Sequence, residues 1–232
     1  MNLTWLGHST WLFEDADSQQ RAIIDPFITD NPAATIDVGD VPSVQQVWVT
    51  HAHFDHIGDV ALIAKRCDAQ VVGCFEVTAW FEANEGLTGG LGMNCGGSTT
   101  VPLGRLQFVP AVHSSSFPDG SYGGVAGGFV LHPSARSGKR IYIAGDTAVF
   151  GDMQQIAGGV DVAILPIGDL YTMGIDDSIQ AIRLINPKVV LPTHHGTWPP
   201  ITVDTQLWAD RVRAETNAQP IVLEVGESYT LL

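Results

Sequence analysis

The segment that decides the fold is VWVTHAHFDH, which spans residues 47–56. Its first four residues form a short, mostly apolar run, and such a run is typical of a strand that is buried on both faces. The six residues that follow include three histidines and one aspartate. In an extended or turning segment, side chains two positions apart project to the same side. We therefore expect His51 and His53 to face one metal ion, and Asp55 and His56, past the bend, to turn towards a second.

Three further residues with suitable side chains lie at the ends of other strand-like runs. His113 and His194 each follow an apolar run. Asp146 follows Gly145, which permits a sharp turn after a strand and lets the strand aim the carboxylate outward. Imidazole and carboxylate are ligands that Zn²⁺ accepts, and Mn²⁺ is compatible with them. A single histidine is usually a structural residue, but the shared placement of all seven side chains predicts a metal centre at one edge of the fold.

The rest of the chain alternates segments that have the periodicities of strands and of helices. We predict strands at residues 3–6, 10–14, 22–25, 47–50, 70–74, 99–112 (interrupted by a turn), 125–131, 140–144, 161–165, 188–191 and near 221–224. We predict helices at residues 59–66, 77–84, 152–157, 177–185 and 204–215, and a mobile loop at the glycine-rich stretch 86–97. Two strand-rich layers with helices for their outer faces indicate an α/β (α+β) fold, a four-layer αββα sandwich, in one domain over residues 1–232.

The composition limits the class of protein and its partners. Of the 232 residues, 45% are hydrophobic and 16% are charged, which is typical of a globular protein. The net charge of −14, with 11 Lys plus Arg against 25 Asp plus Glu, leaves little basic surface for a nucleic acid. No apolar run approaches the roughly 18 residues that cross a bilayer. We therefore expect a small-molecule substrate, no nucleic-acid partner and no membrane partner, and we leave a homo-oligomer open.

The N-terminus and the cysteines bear on the cellular location. Residues 1–5 lack the basic and apolar regions of an export signal and run directly into a strand-like pattern. Cys67, Cys74 and Cys95 are odd in number and lack CxxC spacing, so we expect them to be reduced core residues. Both features favour a cytoplasmic protein.

The order of the motifs resembles a known family. His-x-His-x-Asp-His, then His, then Gly-Asp, then His is the pattern of the metallo-β-lactamase superfamily. The chain is more closely similar to small bacterial metal-dependent hydrolases, which are similar to ascorbate-6-phosphate lactonases and, more distantly, to N-acylphosphatidylethanolamine phospholipases. The matching phrases cover nearly the whole chain and lie at Trp5–Ser9, Ile24–Phe27, Val112–Phe117, Ala144–Thr147, Pro166–Asp169, Tyr171–Gly174 and Pro192–His194.

The resemblance implies a metallo-β-lactamase sandwich that divides its ligands between two divalent ions, Zn²⁺ or Mn²⁺. The implied ligands are His51, His53 and His113 for the first ion, Asp55, His56 and His194 for the second, and Asp146 as the bridge between them. A hydroxide between the ions would attack the substrate, because metal binding lowers the pKa of water towards about 7. The implied activity is hydrolysis of a lactone or phosphoester in a small anionic metabolite, with Asp55 and Asp146 as catalytic carboxylates.

Several side chains beside these motifs carry weaker expectations. Asp25 is expected to hydrogen-bond near the metal-binding loop without being a ligand. His8, in a Gly-His-Ser turn, is either such a partner, part of the pocket wall or a structural residue. His195 stands where many relatives carry Tyr, and it either protonates a leaving group, touches a substrate anion or is an outward-pointing bystander. Residues 114–116 and Tyr171 either line the pocket or belong to plain turns.

Three other functions fit parts of this pattern. A nuclease or phosphodiesterase of the same superfamily is disfavoured by the negative charge and by the lack of an added nucleic-acid-binding domain. A flavodiiron-type oxidoreductase would usually present Glu in place of His53 and would need a fused flavin domain. A non-enzymatic metal-binding protein would be free to lose ligands, whereas all seven remain. The site therefore favours a metal-dependent hydrolase.

Overall fold

The strands form two seven-stranded sheets in the computed structural model, which describes residues 1–134 and 138–231. The first sheet contains, from edge to edge, β14 (Ser228–Thr230), β1 (Asn2–Trp5), β2 (Trp11–Asp15), β3 (Gln20–Ile24), β4 (Gln46–Trp48), β5 (Gln70–Cys74) and β6 (Leu91–Met93). The second sheet contains β13 (Gln219–Pro220), β12 (Val189–Thr193), β11 (Val162–Pro166), β10 (Ile141–Ile143), β9 (Gly127–Pro133), β8 (Gly104–Pro110) and β7 (Ser98–Val101).

The two sheets have the same mixed character. In the first sheet, the strands from β3 to β6 pair in parallel and the others pair antiparallel. In the second sheet, the strands from β10 to β13 pair in parallel and the others pair antiparallel. It follows from these pairings that β1, β3 and β4 run in one direction in the first sheet, and that β8, β10 and β12 run in one direction in the second.

The helices pack on both sheets. They are α1 (Phe54–Ile57), α2 (Val60–Cys67), α3 (Phe75–Glu85), α4 (Met153–Ala157), α5 (Ile175–Ile185) and α6 (Thr205–Glu215), with 3₁₀ turns at Val38–Asp40 and Pro199–Ile201. In α5, buried residues recur three and four positions apart, as they do in a helix with one face on a core. Within the described residues, no helix is both long enough and apolar enough to cross a membrane.

Successive side chains of the central strands point alternately to the core between the two sheets and to the core between a sheet and its helices. In β10, Ile141 and Ile143 join the core that contains Trp48 and Phe13 of the first sheet. Tyr142, between them, joins the second core, which the side chains of α4, α5 and α6 complete. Both faces of the strand are therefore buried, because successive strand residues point to opposite sides. The α/β fold with a metallo-β-lactamase sandwich, expected from the sequence, is confirmed.

Two local predictions were wrong. The strand expected near 221–224 is absent from the described chain there: the Ile221 amide still donates to the Val190 carbonyl (2.9 Å), but regular pairing ends at Pro220. The chain then returns to the first sheet as β14, beside β1. The stretch 86–97, expected as a mobile loop, contains β6, which pairs with β5.

Close packing explains one glycine of that misassigned stretch. A Cβ atom on Gly92 would lie 2.9 Å from the Thr78 hydroxyl and 3.0 Å from the Phe75 ring. The glycine thus lets β6 approach α3 closely, which is a packing role and not a sign of flexibility.

Candidate metal centre

The predicted site residues lie together because each follows a strand that ends at the same edge of its sheet. In the first sheet, β1, β3 and β4 are followed by His8, Asp25 and the segment 51–56. In the second sheet, β8, β10 and β12 are followed by His113, Asp146 and His194. Since the strands of each set run in one direction, their carboxyl ends meet, which is where open α/β sheets bind ligands. The structure brings all seven predicted metal-binding residues into one cluster.

Asp25 holds the metal-binding loop in place, as the sequence indicated. Its two carboxylate oxygens accept hydrogen bonds from the Thr50 amide (2.8 Å), the Thr50 hydroxyl (2.6 Å) and His56 Nδ1 (2.8 Å). The Thr50 hydroxyl has a single proton, which it gives to Asp25, so it accepts from His51 Nδ1 at 3.1 Å. Both histidines therefore direct Nε2 towards the cluster.

Helix α1 turns the end of the motif away from the strand direction. His53 is the residue before the helix and has extended backbone angles, and the helix then begins at Phe54. This bend turns Asp55 and His56 away from the direction of the strand that leads to His51. His51 and His53 form a group of possible ligands with His113, whereas Asp55 and His56 form another with His194 and His8. A third group joins His51 and His56 to Asp146.

Asp146 lies between the first two of these groups. Its Oδ2 atom is close to ring nitrogens from both: 3.0 Å from His194 Nε2, 3.3 Å from His56 Nε2, 3.7 Å from His113 Nε2 and 3.9 Å from His51 Nε2. Gly145 makes this placement possible, since its φ of +64° is a left-handed value that favours glycine. The central position is the one expected of a bridging carboxylate.

The donor set fits divalent metal ions. His56 Nε2 and Asp146 Oδ1 are buried, and neither has a hydrogen-bond partner among the described residues. Buried polar atoms are normally satisfied, so unpaired ones at the centre of a cluster point to a missing partner. Imidazole nitrogens and carboxylate oxygens are the ligands of borderline divalent ions.

The charges of the cluster lead to the same conclusion. Asp25, Asp55 and Asp146 are buried, and the ion pairs found for them among the described residues are all with histidines. Burial by itself would lower the pKa of His56, but these three carboxylates raise it well above its ordinary value. Burial likewise opposes the rise at His194, yet Asp146 and Asp55 raise its pKa to about 9. A bound cation would supply the positive charge that the carboxylates otherwise draw from protons.

His8 is a functional candidate whose role the sequence left undecided. Its Nε2 lies 3.0 Å from Asp55 Oδ2, and its Nδ1 lies 2.8 Å from the Thr197 hydroxyl. Burial lowers the pKa of His8 to about 4, so the ring is neutral and can donate at one nitrogen only. An ionised Asp55 only accepts, and therefore Nε2 donates to Asp55 and Nδ1 accepts from Thr197. Both ring nitrogens of His8 therefore have partners, and one of them holds the Asp55 carboxylate.

The backbone around His8 is also fixed. Its carbonyl accepts from Trp5 Nε1 (2.9 Å), the Thr193 hydroxyl (2.8 Å) and the His194 amide (3.0 Å). His8 and His194 both have φ near +51°, a region that non-glycine residues rarely adopt and that surrounding contacts must enforce. The contacts from Thr193 and His194 join residues at least 185 positions apart in sequence, which explains why no local motif revealed them.

His195 is the one predicted catalytic residue that the structure leaves out of the cluster. Its ring is buried and stacks on Trp5, with centroids 5.0 Å apart. It does not line the cavity over the metal-binding cluster. A buried ring is not an outward-pointing bystander, and a ring outside the cavity lining is not placed to protonate a leaving group or to touch a substrate anion.

We expect the variants His8→Ala and His195→Ala to separate these two positions. Losing a hydrogen bond to a metal-binding side chain typically costs about 10- to 100-fold in metal affinity or activity. His8→Ala should therefore weaken metal binding to that extent. His195→Ala should leave metal binding unchanged, and any change in kcat/KM should be equal for substrates with good and with poor leaving groups. Chelator competition and steady-state kinetics measure both, with thermal unfolding to check the fold. Equal metal affinities in the two variants would contradict the role of His8.

A cavity of about 630 Å³ opens over the cluster. Its floor carries five of the predicted metal-binding residues, and its wall is formed by other side chains; the lining residues are His53, Asp55, His113, Asp146, His194, Phe54, Ser114, Leu170, Tyr171, Trp198 and Pro200. Ser114 and Tyr171 thus line the pocket, as the sequence suggested. Ser115 instead bonds backbone groups of Ala52 and Gly123, which belongs to loop structure.

Two packed sheets that gather histidines and aspartates under a cavity at their strand ends define the class: a metallo-β-lactamase-type hydrolase. The family model described as the beta-lactamase superfamily domain matches residues 20–195. The chain is 44% identical to a UPF0173 metal-dependent hydrolase of Thermus thermophilus over 232 residues, covering 100% of this chain and 99% of the relative. It is 43% identical to one of Symbiobacterium thermophilum over 236 residues, covering 100% of both.

A solved structure agrees with these relatives. A metallo hydrolase from the archaeon Ignicoccus hospitalis superposes with a TM-score of 0.87 at 34% identity, covering 100% of this chain and 98% of that one. The chain therefore belongs to the beta-lactamase superfamily and, within it, to the UPF0173 metal-dependent hydrolases. It is a metal-dependent enzyme.

Proposed function

We propose that this enzyme hydrolyses a lactone or a phosphoester in a small substrate whose anionic group faces two divalent ions, Zn²⁺ or Mn²⁺. The ligands would be His51, His53 and His113 for one ion, Asp55, His56 and His194 for the other, and Asp146 for both. The observation that carries the proposal is the position of Asp146 Oδ2, within 3.9 Å of histidine nitrogens from both groups.

Different side chains of the site would have different roles in hydrolysis. When bound, the ions would polarise the ester oxygen and make water a nucleophile near neutral pH. Asp25 and Thr50 fix the rings of His56 and His51, so that the donor atoms need little reorganisation. Asp55 and Asp146 would supply the negative charge that retains the cations, and His8 keeps Asp55 oriented. The cavity would hold the substrate against the cluster.

A nuclease is the second candidate, and the cavity disfavours it. No Lys or Arg is found among the described residues that line it. With a net charge of −14, each phosphate of a long nucleic acid would be repelled, while a small anion needs to meet only the cations. A single domain over 1–232, a cytoplasmic location and any homo-oligomer remain predictions from the sequence.

A substrate panel tests the proposed function. We expect metal-loaded enzyme to cleave bis-p-nitrophenyl phosphate or simple lactones, to lose this activity with chelator, and to leave structured RNA intact at low and moderate salt. Efficient RNA cleavage that falls steeply as salt rises would favour the nuclease, because phosphate contacts are strongly salt-dependent. No turnover of any ester or lactone by fully metal-loaded protein would refute the proposed function.

A further inference from the structure

The wall of the cavity differs in chemistry from its floor. The floor is made of metal-binding side chains, while most of the wall consists of Phe54, Leu170, Tyr171, Trp198 and Pro200. Phe54 is 56% exposed, Leu170 is 64% exposed and Tyr171 is 56% exposed. Large apolar side chains that are left in water around a concave site usually mark the place where a ligand covers them.

Two of the three aromatic side chains of the wall, Phe54 and Trp198, pack against a buried ring behind them. The ring centroids of Phe54 and Trp198 are 6.0 Å apart, and each lies 5.9 Å from that of buried Phe27. Trp198 also packs on His8, with centroids 5.0 Å apart. A wall that is supported in this way offers a preformed surface for an aromatic or branched apolar group.

The wall lacks the partners that a second anionic group would need. Among the described lining residues outside the metal-binding cluster, the polar groups of the side chains are the hydroxyls of Ser114 and Tyr171 and the indole N–H of Trp198, and none of them carries a positive charge. A phosphate placed there would lose water without gaining a cation, and burial of an unpaired charge is costly. A sugar phosphate, whose remote end is highly polar, suits this surface poorly.

We propose that the part of the substrate remote from the scissile bond is an uncharged aryl or branched apolar group that packs on Phe54, Leu170 and Trp198. Any negative charge of this substrate lies on the group that is hydrolysed. This inference rests on the proposed function and narrows its substrate class, because it disfavours the phosphorylated sugar lactones to which the family resemblance pointed.

Matched substrates test the inference. p-Nitrophenyl phenyl phosphate and p-nitrophenyl glyceryl phosphate share a leaving group and a charge and differ only in the remote group. A phenyl-substituted δ-valerolactone and 6-phosphogluconolactone form a second pair, which shares a six-membered lactone ring and differs in its hydroxyl groups and in the charge of the remote group. We expect kcat/KM to be at least about 10-fold higher for the phenyl member of each pair, since hydrophobic pockets discriminate by roughly this factor or more.

Two variants test the wall itself. Phe54→Ala should raise KM for the phenyl substrates by about 10-fold with a smaller change in kcat, because it removes binding that is shared by ground and transition states. Leu170→Arg adds a cation to the wall and should reduce or reverse the preference for phenyl over phosphorylated substrates. Leu62→Ala and Leu207→Arg are the matched controls, since both residues are exposed apolar side chains outside the cavity lining. Metal content is measured in all four.

Binding is measured separately from turnover. Saturation-transfer NMR with 4-phenylbutan-1-ol and butane-1,4-diol, both uncharged and neither able to be hydrolysed, should show contact with the phenyl compound that Leu170→Arg weakens and Leu207→Arg does not. If nothing is hydrolysed but this pattern appears, the proposed function fails and the apolar site stands. Turnover without phenyl preference, or equal binding of both alcohols, overturns the inference.

Discussion

Complete removal of metal should abolish hydrolysis, and Zn²⁺ or Mn²⁺ should restore it. The expected loss is on the order of 10³-fold or more, because polarisation of the substrate and activation of water are together worth several kcal/mol. The fold should survive, since the two apolar cores are built from the sheets and helices and not from the cluster. Elemental analysis, activity and circular dichroism on the same samples measure this. Full activity in protein shown to be metal-free would overturn the mechanism.

Asp146→Asn tests the centre of the same site. The amide keeps the size of the carboxylate but removes its charge, so metal content should fall from about two ions per chain while the far-ultraviolet spectrum stays unchanged. Asp210→Asn, on the exposed face of α6, is the matched control and should keep both metal and activity. If Asp146→Asn retains its full metal content, the bridging role proposed for this carboxylate is wrong.

Local sequence predicted the part of the site that is built from one segment and from strand ends. Three histidines and an aspartate within six residues indicate a metal site, and each of the three distant candidate ligands follows an apolar run. The sheet topology then brings these residues together, because strands that run in one direction end at the same edge of the sheet. The cluster was predictable because these two regularities depend only on short stretches of chain.

The remaining features depend on contacts that are distant in sequence. His8 bonds Asp55 across 47 residues and Thr197 across 189. The apolar wall is assembled from separate segments around Phe54, Leu170 and Trp198, none of which has a periodicity that marks it. His195 misled the prediction because it neighbours a ligand in sequence, while its side chain packs on Trp5.

Gly145→Ala should unfold more easily than the native protein and should also lose metal. The backbone of Gly145 has a φ of +64°, which strains any other residue. An added Cβ atom would lie 2.6 Å from the Gly127 carbonyl oxygen and 2.9 Å from Thr50 Cβ, so the backbone must move. Overpacking and left-handed strain each cost about 1–3 kcal/mol, and we expect roughly 2–4 kcal/mol in the free energy of unfolding.

The same backbone movement should displace the metal centre by two routes, through Asp146 and through Thr50. Asp146 is the next residue along the chain, and Thr50 binds Asp25 and His51. Gly151→Ala is the matched control, since a Cβ atom there meets nothing within 4 Å and its φ lies outside the left-handed region. Denaturant unfolding and metal analysis of the two variants side by side test the prediction. Equal unfolding free energies and metal contents would show that the turn before Asp146 tolerates a side chain, and that Gly145 is not what places the bridging carboxylate.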